Sequence, residues 1–433
     1  SYTRPDMPLP ARLDTLTQDT ASIGDLSWWE LYNDTTLQQL IHRALTYNKD
    51  LKIASARMNE LAALKRIDFA NMFPQATARL NGNRETTNYG GDNFDADPEL
   101  SLTASISWEL DLWGNLRWAR DHSTAEFLAS VENCRAVKIG LVAQVAQSYF
   151  ELMALDNELA IVRRTLEARR EGVRLAEIRF KGGLTSEIVF QQAKVELAKT
   201  ATMVPDLERR ISLKESEIAL LTGDFPYAVN RNVLPEEIQL PDALPLGLPS
   251  TLLERRPDIR KAERELMAAH AEVGLAYTNM FPRLALTATL GAESETLRDL
   301  LKSPYSYLAG NLLSPLFAMG KNRAALKAKR TAYESAVAEY EKTVLTAFKE
   351  THDAIINFNK IKDIYESRRQ LAEASRTAVE LAQLQYINGV IGYLDLLDAQ
   401  RNYFDAQVSL SNAVCDKQLM IINLYKALGG GWK

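Results

Sequence analysis

Cysteine, proline and glycine are scarce in this sequence, and their scarcity limits what the chain can be. Only two cysteines occur among 433 residues, Cys134 and Cys415, and their spacing matches no metal-binding motif. Both lie within helical patterns, where an isolated cysteine behaves as a small apolar residue. The 15 prolines and 20 glycines are unevenly distributed, so long stretches of the chain contain no helix breaker.

Excess positive charge and clustered histidine are also missing. The chain has 51 Lys and Arg against 56 Asp and Glu, a formal net charge of −5, which provides no basic surface for nucleic acid. The four histidines stand far apart, without the spacing of a metal site. No phosphate-binding loop, dinucleotide fingerprint or nucleophile elbow is present. We therefore expect no enzyme activity, no metal and no cofactor.

Two very long helices are predicted by the stretches without helix breakers. Residues 321–388 contain neither proline nor glycine, and a continuous helix of that length spans roughly 100 Å. Residues 115–181 are interrupted only by Gly140 and Gly172. Apolar residues recur there every seven positions: Val145, Leu152, Leu159, Leu166, Val173 and Phe180. Such a repeat is typical of coiled-coil-like packing with a left-handed supercoil.

Four short segments have the character of β-strands. In residues 100–112 apolar and polar side chains alternate strictly, and residues 283–293 show a weaker alternation. Residues 75–86 and 305–316 are the expected hairpin partners. No run of 18 apolar residues is long enough for a membrane-spanning helix, but a tilted strand of about 9–11 residues can cross a bilayer.

Four strands per chain are too few to close a membrane barrel. Strands in lipid must satisfy every backbone hydrogen bond in a closed barrel, and the smallest barrels have about eight strands. A barrel would thus need eight strands from a dimer or twelve from a trimer. Aromatic residues at the predicted strand ends favour a membrane location: Phe73, Trp113, Phe281 and Phe317. The alternative is a soluble sheet that caps a helical stalk.

The two halves of the chain repeat each other. The motif Asn-Met-Phe-Pro at 71–74 recurs at 279–282, and three glycines recur 206 residues later, in the pairs Gly114 and Gly320, Gly183 and Gly389, and Gly223 and Gly429. Each half reads as helix, strand, loop, strand, very long helix, tight turn and helix. This pattern predicts an internal duplication.

The repeat also predicts the organisation of the chain. An extended segment at 1–36 precedes the first repeat at 37–222, in which a helix at 37–73 leads to the strands and a helix at 185–222 ends the unit. A proline-rich linker at 223–257 leads to the second repeat at 258–428, which ends in a helix at 393–428. Residues 429–433 form a short tail.

Five segments occur in a consistent order along the chain, at residues 2–5, 28–32, 248–259, 386–401 and 424–432. Together they resemble the TolC-like outer-membrane factors, specifically the lipoprotein branch that serves tripartite efflux pumps. The resemblance covers nearly the whole chain. It implies a homotrimer with a twelve-stranded outer-membrane β-barrel and a twelve-helix periplasmic tunnel, with an equatorial region built partly from the linker.

The resemblance also implies partners and a location. The expected partners are outer-membrane lipid, a periplasmic adaptor protein and an inner-membrane transporter of the RND type. The expected location is the outer membrane of a Gram-negative bacterium, with the helical part in the periplasm. In that branch the mature N-terminus is a lipidated cysteine, which we expect upstream of Ser1.

The function that follows is passive conduction of small molecules, such as drugs or toxic compounds, through an exit duct. Two alternatives stay open: the exit duct of a type I protein secretion system, and a soluble coiled-coil scaffold.

A gate is expected just after the second helix turn. Asp395 and Asp398 would each form a carboxylate ring under threefold symmetry, which favours cations over anions. Leu394 would form a dry constriction, and Arg401 can pair with Asp398 within the helix or across to a neighbour. The resemblance assigns the positions of Leu394, Asp398 and Arg401 to the closed periplasmic end. Ordinary solvated helix charges are the alternative.

The two helix turns are the expected docking sites for the α-hairpin of an adaptor. Glycine permits the positive φ of a tight helix reversal. The residues assigned to these turns are Arg179, Phe180, Gly182, Gly183, Tyr386 and Gly389.

Overall fold

The computed structural model describes residues 2–11, 22–87, 95–232, 245–247, 249–315 and 319–430. These residues are mainly helical and contain four strands, as predicted. The first half contains α1 (Trp28–Leu31), α2 (Thr35–Tyr47), α3 (Lys49–Ala70), β1 (Gln75–Thr87), β2 (Asp95–Leu110), α4 (Asn115–Lys181) and α5 (Glu187–Leu221). The second half contains α6 (Pro249–Arg255), α7 (Pro257–Thr278), β3 (Arg283–Ser294), β4 (Pro304–Leu313), α8 (Lys321–Ile387) and α9 (Tyr393–Ala427). Among the described helices, none combines the length and apolar character needed to span a membrane.

The element bounds reproduce the internal repeat. Helices α3 and α7 begin at 49 and 257 and end at 70 and 278, an offset of 208 at both ends. Helices α4 and α8 begin at 115 and 321, and α5 and α9 at 187 and 393, an offset of 206 in each case. The duplication is therefore structural as well as sequential.

The helix predicted over 37–73 is divided into α2 and α3 by Asn48. The Asn48 side chain caps α3, because its Oδ1 accepts a hydrogen bond from the Leu51 N–H at 2.9 Å. Its Nδ2 donates to the carbonyl oxygen of Leu221, the last residue of α5, at 3.0 Å. Arg256 stands at the corresponding break between α6 and α7, and its Nη1 donates to the carbonyl oxygen of Ala427 at the end of α9, at 3.0 Å.

A glycine follows α5 and α9 at equivalent positions, and both glycines approach these breaks closely. Gly223 has a φ of +78° and Gly429 a φ of +77°. A Cβ on Gly223 would lie 2.5 Å from the Tyr47 carbonyl oxygen, and a Cβ on Gly429 would lie 3.0 Å from Arg255 Cγ. Tyr47 and Arg255 precede the two breaks, so each half closes through the same contact.

The described chain divides into two compact units. The first unit consists of residues 1–7, 56–132 and 260–343, and it contains the sheet. The second consists of residues 8–55, 133–259 and 344–433. Its core includes Val145, Leu152 and Leu159 from the seven-residue repeat, all of which are buried. The repeat therefore marks a buried seam of α4 in this unit.

The four strands form one antiparallel sheet in the order β1-β2-β3-β4. The register aligns Ala104 with Ala78 and Leu290, and it aligns Ser105 with Thr77 and Thr289. The sheet consequently has an apolar face and a polar face. Large side chains on the apolar face are exposed in a single chain: Leu80 at 70%, Leu102 at 41%, Ile106 at 54%, Leu290 at 68%, Leu308 at 82% and Leu312 at 67%. Strand β2 starts five residues earlier than predicted, at Asp95, because it pairs with β1 as far as Thr87.

Gly223→Ala should destabilise the protein more than Gly183→Ala. Both glycines have a positive φ, which costs about 1–2 kcal/mol for alanine. At Gly183 nothing lies within 4 Å of the added Cβ, whereas at Gly223 the Cβ meets the Tyr47 backbone. Thermal unfolding of the detergent-solubilised variants measures the difference, with the pair Gly429→Ala and Gly389→Ala as a replicate in the second half. Equal losses at both members of a pair would contradict the proposed close approach.

Candidate gate and docking surface at the helix turns

The turns that follow α4 and α8 close with the same hydrogen-bond pattern. Gly183 has a φ of +74° and Gly389 a φ of +72°. The Leu184 N–H donates to the Arg179 carbonyl at 2.8 Å, and the Val390 N–H donates to the Gln385 carbonyl at 2.8 Å. This is the Schellman arrangement of a helix C-terminus. Nothing lies within 4 Å of a Cβ at either glycine, so the backbone conformation alone favours glycine there.

The two turns contact each other through Arg179 and Tyr386. The Arg179 guanidinium lies over the Tyr386 ring, 4.8 Å from its centroid, in a cation–π contact. Tyr386 is 8% exposed and packs edge-on against Tyr393 at the start of α9. Phe180 stacks on Phe190 of α5, with ring centroids 6.1 Å apart. Each long helix therefore ends with an aromatic ring packed against a ring near the start of the following helix.

Gly182 belongs to the end of the first turn. Its N–H donates to the Ile178 carbonyl oxygen at 2.9 Å, which continues the helical hydrogen-bond pattern for one more residue. A Cβ there would lie 3.3 Å from the same oxygen. Gly182 is thus constrained by a local carbonyl group, whereas Gly183 is constrained by its positive φ.

Asp395 caps α9. Its Oδ2 accepts a hydrogen bond from the Gly392 N–H at 3.1 Å, which satisfies a backbone donor at the start of the helix. Leu394, Asp398 and Arg401 are spaced by four and three residues, so they share one face of α9, and all three are exposed. Leu394 is 60% exposed. Three of the four predicted gate residues are therefore on one accessible face, and Asp395 has a local structural role.

Arg401 pairs with Glu196 of α5 within one chain. Its Nη2 donates to Glu196 Oε1, whereas Asp398 accepts a hydrogen bond from Asn402 Nδ2 at 3.2 Å. The Glu196 side chain is 7% exposed and also receives Lys199 Nζ at 3.3 Å. The hydrogen bond from Arg401 lowers the pKa of the Glu196 carboxyl, which keeps it ionised. The link fixes α9 against α5.

A second guanidinium lies on the other side of Glu196. Arg169 of α4 is 8% exposed, its Nη1 donates to Gln400 Oε1 at 2.9 Å, and its Nη2 is 3.9 Å from Glu196 Oε2. Burial lowers the pKa of Arg169. Glu196 is therefore a buried carboxylate between two arginines from different helices, and the cluster joins α4, α5 and α9.

Glu196 and Arg169 were not predicted as site residues. Glu196 lies 205 positions from Arg401, and its helix carries many other carboxylates. Arg169 did leave a signal, because it interrupts a second seven-residue series of small and apolar residues that includes Leu155, Val162 and Ala176. A charged side chain at such a position must either be buried or interrupt the apolar seam. Arg169 could therefore have identified the cluster from the sequence.

A cavity of about 430 Å³ and one of about 340 Å³ lie within the second unit, and the smaller one borders this cluster. Arg169, Tyr386, Tyr393 and Gln400 line it, together with Ala193 of α5. The cavity lies between the ends of the two helical hairpins. In the described residues no group of three or more His, Cys, Asp or Glu side chains is arranged to hold a metal.

The predicted interface aromatics lie in the first unit, at the junctions of strands and helices. Trp113 stacks on Phe281, with centroids 5.0 Å apart, and its Nε1 donates to the Pro282 carbonyl at 2.8 Å. Phe73 packs separately against Phe69 at 5.1 Å. Phe317 lies outside the described residues. Trp113 and Phe73 are half exposed, at 50% and 52%, and their place in a membrane-interface belt stays a prediction.

Comparison with known proteins gives a consistent result. The family model described as outer membrane efflux protein matches residues 40–224 and 248–430. The solvent efflux pump outer membrane protein SrpC of Pseudomonas putida is 34% identical over 93% of this chain and 87% of its own length. The outer membrane protein OprJ of Pseudomonas aeruginosa is 33% identical over 95% of this chain and 88% of its own. The solved open state of the MtrE outer membrane channel of Neisseria gonorrhoeae is 29% identical, covers 100% of this chain and 98% of its own, and has a TM-score of 0.86.

The Glu196 link should make the start of α9 sensitive to acid. Because the pKa of Glu196 is lowered in the folded protein, its stabilisation is complete above the usual glutamate range and is lost as the pH falls through the lowered value. Hydrogen exchange of residues 393–401, corrected for the intrinsic rate at each pH, should show protection at neutral pH that is lost in acid. Glu196→Gln should remove the protection at both pH values.

The matched control is Glu171→Gln. Glu171 is exposed and pairs with Arg174 on its own helix, so its loss should leave the protection of residues 393–401 and its pH dependence unchanged. A wild-type protein whose protection does not change with pH would show that the Arg401 link does not hold α9.

Proposed function

The chain belongs to the outer membrane efflux protein family, and we propose that three copies of it form a closed duct that is gated at the helix turns. The protein is the outer-membrane channel of an efflux pump and not an enzyme. The observation that carries the gate is the Arg401–Glu196 link, which holds α9 while Leu394 and Asp398 stay exposed on the same helix face.

Exposed apolar residues on the second unit support self-association. They occur on the last part of α8 and on α5: Ile364, Leu371, Leu381, Leu384, Ile387, Ile188 and Val195, each between 41% and 61% exposed. Several are separated by seven residues, the spacing of a helix–helix seam. The occupant we propose for this seam is a second copy of the chain.

The edges of the sheet also need strands from further copies of the chain. Strands β1 and β4 are its edges, and each edge carries backbone groups that need partners in a membrane. If β4 of one copy pairs with β1 of the next, three copies give a closed barrel of twelve strands. The exposed apolar face would then contact lipid, while the polar face with Thr77, Ser105 and Thr289 would line the interior.

The gate would work by holding three α9 helices inward. Threefold symmetry places three copies of Asp398 near one another, and their mutual repulsion favours opening. The link from Arg401 to Glu196 opposes that repulsion by fixing each α9 to α5 of its own chain. Leu394 would narrow the same opening with an apolar ring. Opening therefore requires that the Arg401 link be broken or outweighed.

We propose that docking of an adaptor protein outweighs the Arg401 link and opens the gate. The residues proposed to receive the adaptor's docking α-hairpin are those at the turns, among them Arg179 and Phe180. The adaptor and an inner-membrane transporter of the RND type would complete the pump. SrpC is a solvent efflux protein by its name, and we propose small toxic compounds as the molecules conducted here. The lipid anchor stays a prediction.

The assembly is tested by counting subunits. Because the described part of one chain supplies four strands, the detergent-purified protein should be a trimer in native mass spectrometry and should give a cross-linked trimer band. Ile188→Glu should weaken the trimer, since it buries a charge in the proposed seam. Glu187→Gln, on the neighbouring position, is the control and should leave the trimer intact. A protein that is only monomeric or dimeric in membranes would contradict the assembly.

The gate is tested by conductance in planar bilayers. Arg401→Ala should raise the conductance of the isolated trimer, because the three Asp398 carboxylates lose their restraint. The rise should be larger at low salt, where repulsion is less screened. Asp398→Ala should not raise the conductance, because it removes the repulsion that favours opening, and it should reduce the preference for cations. Leu394→Ala should raise the conductance with little change in ion preference.

The control for these variants is Arg163→Ala. Arg163 also joins α4 to α5, through an exposed pair with Glu208 at 2.9 Å, and its removal should not change conductance. If the three gate variants conduct like the parent protein, the constriction is elsewhere and the turns keep only a docking role.

A further inference from the structure

The first unit contains a groove where the sheet meets the helices. It has a volume of about 470 Å³ and lies between the end of α7 and the start of α8. Its charged lining residues are Arg283, Lys321, Lys329 and Glu272. Positive charge therefore exceeds negative charge in this groove, in a chain whose overall charge is negative.

Two of the three cations are not neutralised inside the groove. Lys329 Nζ is 2.8 Å from Glu272 Oε2, so these two charges compensate each other. Arg283 Nη2 donates to Asn279 Oδ1 at 2.7 Å, which is a neutral partner. Lys321 has no ion-pair partner in the part of the chain that the structure describes. Arg283 and Lys321 consequently form a fixed positive site.

The first repeat provides an internal comparison. The offsets of 208 and 206 place Gln75 opposite Arg283, Asn115 opposite Lys321 and Ser123 opposite Lys329. All three positions are neutral in the first half and cationic in the second. Because both repeats form the same backbone elements, the fold does not require cations at these three positions.

The residue shortly before the long helix also differs between the repeats, since it is acidic in the first repeat and neutral in the second. In the first half, Asp111 accepts hydrogen bonds from the N–H groups of Leu116 and Arg117 and pairs with the Arg117 side chain. The residue 206 positions later is Phe317, which cannot supply a carboxylate. Lysine at the start of a helix is unfavourable unless an anion is present, because helix N-termini attract negative charge.

The register of the sheet indicates which way the groove opens. Arg283 is the first residue of β3 and has the same parity as Thr287 and Thr289, which lie on the polar face. The groove is therefore on the side of the sheet that lines the duct in the proposed assembly.

We propose that this groove is an anion-binding station inside the duct, which takes the carboxylate or phosphate groups of solutes that pass. The proposal rests on the proposed function for its location inside the channel, but not for the binding itself. Guanidinium and ammonium groups together suit oxyanions, since arginine donates in a fixed fork and lysine adds a point charge. The Lys329–Glu272 pair would hold the groove in shape.

Binding is tested by site-resolved lysine acylation of the detergent-purified protein, which needs no channel activity. Pyrophosphate at constant ionic strength should slow the modification of Lys321 severalfold and leave Lys327 unaffected. Lys327 is exposed on the opposite face of α8 and serves as the control. Arg283→Gln should abolish the protection of Lys321. Equal protection of Lys321 and Lys327 would overturn the proposal.

Location is tested by ion preference in planar bilayers under a KCl gradient. The double variant R283Q/K321N installs the residues of the first repeat and should lower the chloride-to-potassium permeability ratio severalfold. The control R323Q/K327Q removes two cations from the other side of α8 and should leave the ratio unchanged. An unchanged chloride-to-potassium permeability ratio in the double variant would place the groove outside the duct and overturn the proposal. The same conclusion would follow if the double variant changed only the amount of phosphatidylglycerol that the purified protein retains. If the Arg401→Ala variant, whose gate is expected to open, also never conducts, the proposed gate is refuted, while the acylation result would still decide the binding.

Discussion

Each half of the chain depends on one contact, between a helix break and the end of a returning helix. Asn48 donates to the last carbonyl group of α5, and Arg256 donates to the last carbonyl group of α9. Both side chains are buried, so the carbonyl oxygens they satisfy are remote from water and would be costly to leave unpaired. The hairpins α4–α5 and α8–α9 are thereby fixed where their second helices end, while the two turns contact each other through side chains.

The two ends of the hairpins accordingly differ in physical character. At the breaks, Gly223 and Gly429 pack so closely that a Cβ would contact backbone or arginine atoms. At the turns, Gly183 and Gly389 face open space, and the contacts are a cation–π pair and the Glu196 cluster. Close backbone packing at one end and side-chain contacts at the other would suit the proposed gate, whose turns move without unfolding of the hairpins.

Much of the fold could be predicted from the sequence wherever a single periodicity extends over a long segment. The four strands and both long helices were predicted within a few residues, because alternation and the absence of helix breakers are local signals. The break at Asn48 was not predicted, since its cause is a carbonyl group 173 residues away. Glu196 was missed for the same reason. Among charged residues, only Arg169 left a local signal, as an exception in an apolar series.

Duplication within one chain also changes what evolution can do with a symmetrical duct. The residues 206 positions before Leu394, Asp398 and Arg401 are Ile188, Gln192 and Val195, so the charges of the proposed gate occur in one hairpin of each pair. Under the proposed threefold assembly, a shorter ancestral chain that supplied one hairpin per copy would have to carry the same residues at all six positions around the axis. Fusion of two repeats removes the requirement that all six hairpins carry identical residues. One set of alternate hairpins can then specialise for gating and the other set for holding the gating helices in place.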